Sequence, residues 1–188
     1  MQALINYIKQ HLQVNDEDLG LIVSYFKPLS LEKNELLVNE RQNNQRMYFV
    51  VKGCLRIFFI TENGQEATRY IAFEHNFATA LVSFISGAPS MEFVQALEAT
   101  ELLYISQKDF YHLLEIVPVW ERFYRHYLEI AYVNNTNRLM SFLTQDATEK
   151  YRQLLNENPT VVLRLSNKIV ASYLNISQET LSRLKSKM

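Results

Sequence analysis

The sequence predicts an α+β protein in which a β-rich barrel or sandwich is followed by one long helix and by two short helices. Three observations predict this order. Short runs with a period of two fill most of the first hundred residues or so, no Pro or Gly interrupts residues 119–144, and residues 166–188 place apolar and polar side chains around a central Asn. Many short strands with regular turns are typical of a barrel or sandwich, and an unbroken helical spacing is typical of one helix.

Composition limits the classes of function. The 188 residues, 48% hydrophobic and 21% charged, are enough for a real core and one small additional domain. No apolar run approaches the ~20 residues that span a bilayer, so we expect a cytoplasmic protein without membrane contact. The single cysteine, Cys54, excludes an internal disulfide and a four-thiolate cluster, and the four histidines show no metal-ligand spacing. We therefore expect no metal and no cofactor.

Two helices are predicted before the barrel. Leu4, Ile8 and Leu12 follow an amphipathic helical pattern, and a second helix begins with Asn15 as its cap and stops at Pro28. The period then changes to two, and six short runs predict strands: Leu36–Val38, Met47–Val51, Leu55–Ile60, Thr68–Phe73, Phe93–Leu97 and Leu102–Ile105.

Turn signals join these runs to the helices that follow. The Asn-Gly pair within Glu62–Gln65 predicts a two-residue hairpin turn. Asp109 then opens a helical pattern that Pro118 breaks.

The long helix predicts a second copy of the chain. Val119 to Thr144 extends ~39 Å as a helix, more than a small barrel needs as cover, so part of its apolar stripe requires another partner. A second copy of the helix is the simplest partner, with Asn137 fixing the register. Packing along its own barrel is the alternative. The residues of this dimer helix are Phe123, Ile130, Val133, Asn137 and Met140.

The C-terminal segment predicts a helix pair. Asp146 begins a helix that ends before Pro159, and Val161–Leu165 is predicted as a short strand or an extended lead-in. In residues 166–188 the apolar positions form one buried seam only if the chain turns near Asn175, with small Ala171 at the helix crossing. That seam comprises Val170, Leu174, Ile176, Leu181 and Leu184.

The second helix of this pair predicts DNA binding. Ser177 is placed to cap it, and Glu179 in its first turn suits the positive end of the dipole. Its outward side chains carry groups that pair with base edges in a major groove: Gln178, Glu179, Ser182 and Arg183. A helical hairpin that closes an ordinary core, with Glu179 and Arg183 as a solvated pair, is the alternative.

Charge in this segment supports contact with phosphate. Residues 160–188 contain five basic residues and one acid, a net charge of +4, in a chain whose net charge is −1. A positive tip on an acidic body favours phosphate contact, and Lys168 and Lys185 are candidates for it. A chance cluster at a solvated terminus is the alternative.

Three segments give the chain a resemblance to the Crp/Fnr family of bacterial transcription factors. They are Met47–Gly53, the hairpin Glu62–Glu66 and Ile176–Arg183, each at the right distance from the others. The resemblance implies a cyclic-nucleotide-binding-like β-barrel of the jelly-roll kind, a homodimer built on the long helix, and a two-fold-related site on double-stranded DNA. It also implies RNA polymerase as a partner, and it places Ser177 and Thr180 near phosphate.

The resemblance divides the chain into three parts. Residues 1–118 are expected to form the sensor barrel with its N-terminal helices, 119–145 the dimerisation helix, and 146–188 the helix-turn-helix DNA-binding domain. Few residues follow the second helix of the pair, so we expect the β-wing of many family members to be absent.

The predicted effector pocket departs from the family pattern. Members that bind cyclic AMP carry Gly-Glu and Arg-Ser pairs where this chain has Phe77–Ala80 and Pro89–Glu92. Without that carboxylate and guanidinium we expect no binding of cyclic AMP in the usual way. Asn34 and Arg41 also stand where glycines are common at turns. Candidates for a pocket that holds another, unknown small-molecule effector are Phe77, Thr79, Ala80, Ser90, Met91, Asn135 and Thr136.

Two other classes of function stay open. The chain could be a ligand-binding or protein-interaction module whose C-terminal helices no longer bind DNA. An enzyme on a cupin-like barrel would need a metal cluster or a nucleophile beside a base. His75 with Glu74 is the sole candidate pair for that role, so we expect no enzyme.

Overall fold

The computed structural model describes residues 1–187, and its first elements are the two helices that the apolar spacing predicts. They are α1 (Gln2–His11) and α2 (Asp16–Ser24). Asn15 caps α2 as expected, because its side-chain oxygen accepts a hydrogen bond from the Asp18 N–H at 2.7 Å.

Within residues 1–187, eight strands form two four-stranded sheets, which confirms the predicted α+β class with an N-terminal β-sandwich. The strand order is β1-β8-β3-β6 in one sheet and β2-β7-β4-β5 in the other. The strands are β1 (Lys27–Leu31), β2 (Leu36–Val38), β3 (Arg46–Lys52), β4 (Leu55–Ile60), β5 (Glu66–Ala72), β6 (Phe77–Ala78), β7 (Phe93–Ala96) and β8 (Thr100–Ser106). Six of them were predicted to within two residues at each end.

Seven further helices lie in the described part of the chain. They are α3 (Leu81–Ser86), α4 (Gln107–Ile116), α5 (Pro118–Thr144), α6 (Ala147–Glu157), α7 (Val161–Arg164), α8 (Asn167–Leu174) and α9 (Gln178–Lys187). The long helix is confirmed as α5. Pro118 occupies its first position, where a proline costs no hydrogen bond.

The hairpin turn between β4 and β5 differs from the predicted two-residue type. Asn63 is absent from the residues with positive φ, whereas Gly64 has φ 74°. The Gly64 N–H donates to the Thr61 carbonyl at 2.8 Å and the Thr61 N–H donates to the Gln65 carbonyl at 2.9 Å. This is a three-residue loop with glycine in the left-handed position, so the glycine signal was right and the turn type wrong.

Three other residues at turns adopt positive φ angles. Asn34 and Arg41, which stand where the family pattern has glycines, have φ of 70° and 66°. Gly53 has φ 95°, and a Cβ there would lie 2.6 Å from the Thr100 hydroxyl and 2.8 Å from the Ala99 carbonyl oxygen. The glycine of the Met47–Gly53 segment is therefore required by a close approach of the chain.

Two hydrophobic cores belong to the sheets. One lies between the two sheets and includes Val50, Leu55 and Leu102. The other lies under α1, α2, α4 and the start of α5, where Trp120 stacks on Phe123 with ring centroids 4.4 Å apart. Phe123 is 1% exposed. Phe123 lies in α5 as predicted, but it packs inside its own chain, so its side chain is not available to a second copy of the helix.

The segment Val161–Leu165 was predicted as extended and is helical instead. The Thr160 carbonyl accepts from the N–H groups of Leu163 and Arg164 at 3.0 and 3.1 Å. Val161 and Leu165 are both buried, at a spacing of four residues that suits a helical turn. Burial of these two side chains outweighs the preference of a β-branched run for a strand.

The contacts of the chain define two compact units. One comprises Met1–Phe59 and Tyr70–Tyr127, and the other comprises Ile60–Arg69 and the chain from Leu128 onward. The tip of the β4–β5 hairpin therefore belongs to the second unit. The expected division at 118/119 and 145/146 is a functional one and stays a prediction. Met188, its last residue, lies outside the described residues.

Within residues 1–187, none of the helices combines the length and the apolar character that crossing a bilayer requires.

Candidate nucleic-acid interface

Helices α8 and α9 share a small core in the second unit. The Ser166 hydroxyl caps α8 by accepting from the Ile169 N–H at 3.4 Å. Of the predicted seam, three residues are buried (Val170, Leu174 and Leu181), and Ile176 and Leu184 are half-buried. Ala171, expected at the crossing of the helices, is buried as well. Tyr151, Leu154 and Val161 supply buried side chains from α6 and α7.

Asn175 makes the turn between α8 and α9. Its φ and ψ are 53° and 51°, which is the left-handed conformation predicted for it. The Ile176 N–H donates to the Ala171 carbonyl at 3.1 Å, and the Asn175 N–H donates to the Ser172 carbonyl at 3.3 Å. These two bonds form a Schellman motif, which ends α8 sharply enough for α9 to leave in a new direction.

Ser177 caps α9, as predicted. Its hydroxyl accepts from the Thr180 N–H at 3.1 Å, and α9 begins at Gln178. The backbone amide of the first turn, the Ser177 hydroxyl and the charge of Arg183 together hold the pKa of the Glu179 carboxyl below its ordinary value. Glu179 is therefore an ionised hydrogen-bond acceptor at neutral pH.

The outward face of α9 is polar and exposed to solvent. The four residues predicted to contact bases are all exposed: Gln178, Glu179, Ser182 and Arg183. They form two pairs four residues apart, 178 with 182 and 179 with 183, so they line one side of the helix. The structure brings together every residue of this predicted set.

The four residues predicted to contact phosphate have partners within the chain. The Lys185 ammonium donates to the Asn167 side-chain oxygen at 2.5 Å, and the Lys168 ammonium lies 3.3 Å from the Glu66 carboxylate. The Ser177 and Thr180 hydroxyls lie 3.1 Å apart. Asn167, which orients Lys185, was missed, because nothing in its local sequence marks a contact 18 residues away.

One face of α5 is apolar and exposed. Tyr132, Leu139 and Leu143 are 74%, 58% and 72% exposed, and their spacing of seven and four residues places them on one side of the helix. Their sequence spacing was a usable signal that the prediction missed. The predicted dimer residues of this part of α5 are also exposed: Ile130, Val133, Asn137 and Met140.

The Thr79 side chain sits in a closed hydrogen-bond network inside the sandwich. Its hydroxyl donates to the Arg46 carbonyl at 2.9 Å and accepts from the Asn44 amide. The Asn44 N–H donates to the Ser83 hydroxyl at 3.0 Å, and that hydroxyl donates to the Ala88 carbonyl at 2.5 Å. The Thr79 hydroxyl thus gives its proton and one of its two acceptor positions to groups within the chain.

Residues 28–116 match the cyclic nucleotide-binding domain family. None of the curated proteins matches the sequence.

Solved structures with the same fold extend over most of the chain. FixK2 from Bradyrhizobium japonicum has a TM-score of 0.76 at 19% identity, covering 86% of this chain and 83% of its own. The c-di-GMP-responsive global regulator CLP from Xanthomonas campestris has 0.73 at 14% identity, covering 92% and 91%. The catabolite activator protein of Thermus thermophilus has 0.60 at 20% identity, covering 93% and 83%. These proteins are Crp/Fnr-family regulators, and the likeness shows a shared fold.

The predicted pocket residues lie in different environments. The Ser90 hydroxyl donates to the Glu92 carbonyl at 2.9 Å and accepts from the Glu92 N–H at 3.0 Å. Phe77 lies in the core under the helices, Ala80 lies in the core between the sheets, and Met91 is 78% exposed. Asn135 and Thr136 are exposed on α5, in the second unit. Their role in effector binding stays a prediction.

The two residues considered for catalysis have structural contacts within the matched segment, residues 28–116. The Glu74 carboxylate accepts from the Gly53 N–H at 2.9 Å. His75 has φ 64°, and its ring stacks on Phe49 with centroids 6.4 Å apart. Cys54 is fully buried. Among residues 1–187, no three His, Cys, Asp or Glu side chains group in a way that could hold a metal ion.

Proposed function

We propose that the protein is a homodimeric, sequence-specific DNA-binding transcription regulator of the Crp/Fnr type. The observation that carries the proposal is the exposed polar face of α9, which follows a left-handed turn and a serine cap. Such a helix pair presents its second helix to a major groove while the first crosses the backbone. The fold shared with FixK2, CLP and the catabolite activator protein supports the same function.

The side chains of this face match the chemistry of base edges. The Arg183 guanidinium suits the two acceptors of guanine, the Gln178 amide suits adenine, and the Glu179 carboxylate accepts from the cytosine amino group. The Ser182 hydroxyl can donate to an acceptor or accept from a donor on a base edge. Contacts from Ser177, Thr180, Lys168 and Lys185 would go to phosphate and fix the register of α9 in the groove.

Replacement of Arg183 by alanine is expected to reduce affinity for the preferred site by about 1–3 kcal/mol and to relax preference at one base pair per half-site. Lys185→Ala is expected to weaken binding to all DNA sequences alike. It should also lower the slope of the logarithm of affinity against the logarithm of salt concentration by about one. Gel-shift titrations at two salt concentrations, with a duplex selected from a random pool, measure both effects.

The matched control is Arg152→Ala, which removes an exposed arginine of α6 in the same unit. Its affinity for the selected duplex should equal that of the wild type. Unchanged affinity and preference for both Arg183→Ala and Lys185→Ala would contradict the proposal. A module that no longer binds DNA would show no salt-dependent binding to random duplex, whereas the regulator should lose affinity steeply as salt rises.

The proposed dimer is built on α5. Its exposed apolar face, with Tyr132, Leu139 and Leu143 at its centre, is the surface that a second copy of the helix would cover. Two copies of α9 would then address half-sites about 34 Å apart. RNA polymerase as a partner, a small-molecule effector and a cytoplasmic location belong to the same proposal as predictions from the resemblance.

We infer that the cyclic nucleotide-binding domain does not take cyclic AMP in the usual way. A buried cyclic phosphate needs a fixed cation, and residues 77–92 contain no Arg or Lys. The four hydroxyls of this segment each donate to a backbone carbonyl within the chain: those of Thr79, Ser83, Ser86 and Ser90.

Cyclic AMP is therefore expected to leave the thermal midpoint unchanged. A ligand at about 100 times its Kd would add about 2.7 kcal/mol of stability and raise the midpoint of a protein of this size by several degrees. Differential scanning fluorimetry with millimolar cyclic AMP, and with linear AMP as the control, measures the shift. A rise that cyclic AMP causes and AMP does not would contradict the inference.

A further inference from the structure

The tip of the β4–β5 hairpin is hydrogen-bonded to α8 through Ser172. The Ser172 hydroxyl donates to the Glu66 carbonyl at 2.7 Å and accepts from the Thr68 N–H at 2.9 Å. It also lies 2.9 Å from the Thr68 hydroxyl, which must be the donor because the proton of Ser172 is already given to Glu66. Ser172 thus uses its whole hydrogen-bonding capacity on the hairpin, and Thr68 is buried.

Arg138 of α5 also holds the hairpin tip against α8. Its guanidinium donates to the Thr68 carbonyl at 2.8 Å and to the Tyr173 carbonyl at 2.5 Å. It lies over the Tyr173 ring at 3.9 Å and over the Phe142 ring at 4.8 Å. Burial lowers the pKa of Arg138, and the two carbonyls and two rings offset the cost of that burial. The guanidinium therefore joins the hairpin to the C-terminal end of α8.

An ion pair completes the contact at its exposed edge. The Glu66 carboxylate lies 3.3 Å from the ammonium of Lys168, which the proposed function assigns to DNA phosphate. The Lys168 side chain remains 62% exposed, so a phosphate could approach it once Glu66 withdraws. Glu66 offers this lysine the same kind of anionic oxygen that a phosphate would offer.

We propose that the hairpin tip, Ile60–Arg69, is an intramolecular competitor of DNA, which must release Lys168 and α8 before the helix pair binds a duplex. The inference rests on the proposed DNA-binding function and names the regulation of that site. Release exchanges the hydrogen bonds of the contact for bonds to water and breaks a partly exposed ion pair, and the binding of DNA phosphate to the released Lys168 and helix pair offsets that cost. Strands β4 and β5 run from this tip into the cyclic nucleotide-binding domain, which gives an effector a covalent route to the contact.

A reversible crosslink tests the proposal directly. The hydroxyl oxygens of Thr68 and Ser172 lie 2.9 Å apart, so cysteines at both positions fall within reach of a disulfide. The one native thiol, Cys54, is buried and does not compete. In the full-length Thr68→Cys/Ser172→Cys protein, oxidation is expected to weaken binding to the selected duplex at least about tenfold, and dithiothreitol to restore it.

A charge variant tests the same competition without a crosslink. Glu66→Gln is expected to tighten binding to the selected duplex by about two- to fivefold, since Lys168 no longer has an anionic partner on the hairpin. The control is Glu62→Gln, which removes the same charge from an exposed position of the same hairpin and should leave affinity unchanged.

Every outcome of these two experiments either supports or overturns the proposal. The proposal is overturned if the disulfide does not form in the folded protein, if oxidised and reduced protein bind alike, or if Glu62→Gln tightens binding as much as Glu66→Gln. If neither the wild type nor the reduced cysteine variant binds any duplex of the random pool, the DNA-binding function itself fails. Loss on oxidation, recovery on reduction and a gain specific to Glu66 support it.

Discussion

Replacement of Leu139 by glutamate is expected to convert the dimer to a monomer and to weaken binding to a two-fold site by at least about a hundredfold. Leu139 lies near the middle of the exposed apolar face of α5, between Tyr132 and Leu143. A carboxylate buried at the centre of a helix–helix interface would have no cationic partner and would pay its full desolvation cost. Two linked half-sites gain about 10²–10⁴ in avidity over one, and a monomer loses that gain.

The same substitution should leave the fold of each chain intact. Leu139 is 58% exposed in the single chain, so glutamate there remains in water when the partner is gone. Sedimentation velocity at micromolar concentration and a gel shift with the two-fold duplex measure the two effects. Circular dichroism reports the helix content.

Asn134→Glu is the matched control, since Asn134 is exposed on α5 and lies well away from Leu139 around the helix. It adds the same charge to the same helix and should remain dimeric. If the Leu139→Glu protein sediments as a dimer, the proposal that α5 forms the dimer interface is contradicted. A wild type that is monomeric at working concentrations would contradict the proposed regulator itself.

Local chemistry made the turn region predictable from the sequence. Asn175 adopts positive φ and Ser177 caps α9 because an Asn tolerates the left-handed region and a serine hydroxyl satisfies free amides, whatever surrounds them. The exposure of Arg183 and its neighbours on α9 follows from helical spacing alone.

Tertiary packing decided the elements that were missed. The second helix ends before Pro28 as predicted, but β1 was missed, because Pro28 lies in it and a residue without an N–H is tolerated only in an edge strand such as this one. Two further elements, α3 and β6, are short and have no periodic signal. The start of α4 was placed at Asp109, whereas the Ser106 hydroxyl caps the helix and α4 begins at Gln107. Phe123 fits the stripe of the dimer helix equally well in sequence, and only the packing of Trp120 beside it shows that it is buried.

The hairpin contact lay beyond sequence reasoning for a different reason. Arg138 and Thr68 are separated by 70 residues, and Ser172 and Thr68 by 104. Serine, threonine and arginine at such separations carry no periodic signal, since a contact of this kind depends on where two elements meet in space. The predicted hairpin and the predicted helix pair were each correct in place, yet nothing in either linked them.

Replacement of Arg138 by alanine is expected to lower the free energy of unfolding of the second unit by about 2–4 kcal/mol. The Thr68 and Tyr173 carbonyls would lose a charged donor, and a hydrogen bond to a charged group contributes about 1.5–3 kcal/mol. The contacts with the Tyr173 and Phe142 rings would be lost as well, at about 0.5–2 kcal/mol. These contributions overlap, so the total is smaller than their sum.

Urea unfolding followed by circular dichroism measures this loss, and hydrogen exchange locates it. The backbone amides of β5 near Thr68 and of α8 near Tyr173 should exchange faster than in the wild type. Arg122→Ala, which removes an exposed arginine elsewhere on α5, should change stability by less than about 0.5 kcal/mol. An equally small change for Arg138→Ala would mean that the guanidinium contributes nothing to the hairpin contact.

A double-mutant cycle separates the role of Arg138 in holding the hairpin from its role in packing. Arg138 and Ser172 both bond to Thr68, so the combined Arg138→Ala/Ser172→Ala variant should lose less stability than the two single variants together. Arg138→Lys keeps a charged donor but lacks the planar guanidinium that lies over the Tyr173 and Phe142 rings, so its loss should be intermediate. Strict additivity in the cycle would show that the two side chains act on α8 independently. The hairpin tip would then not be held as one unit.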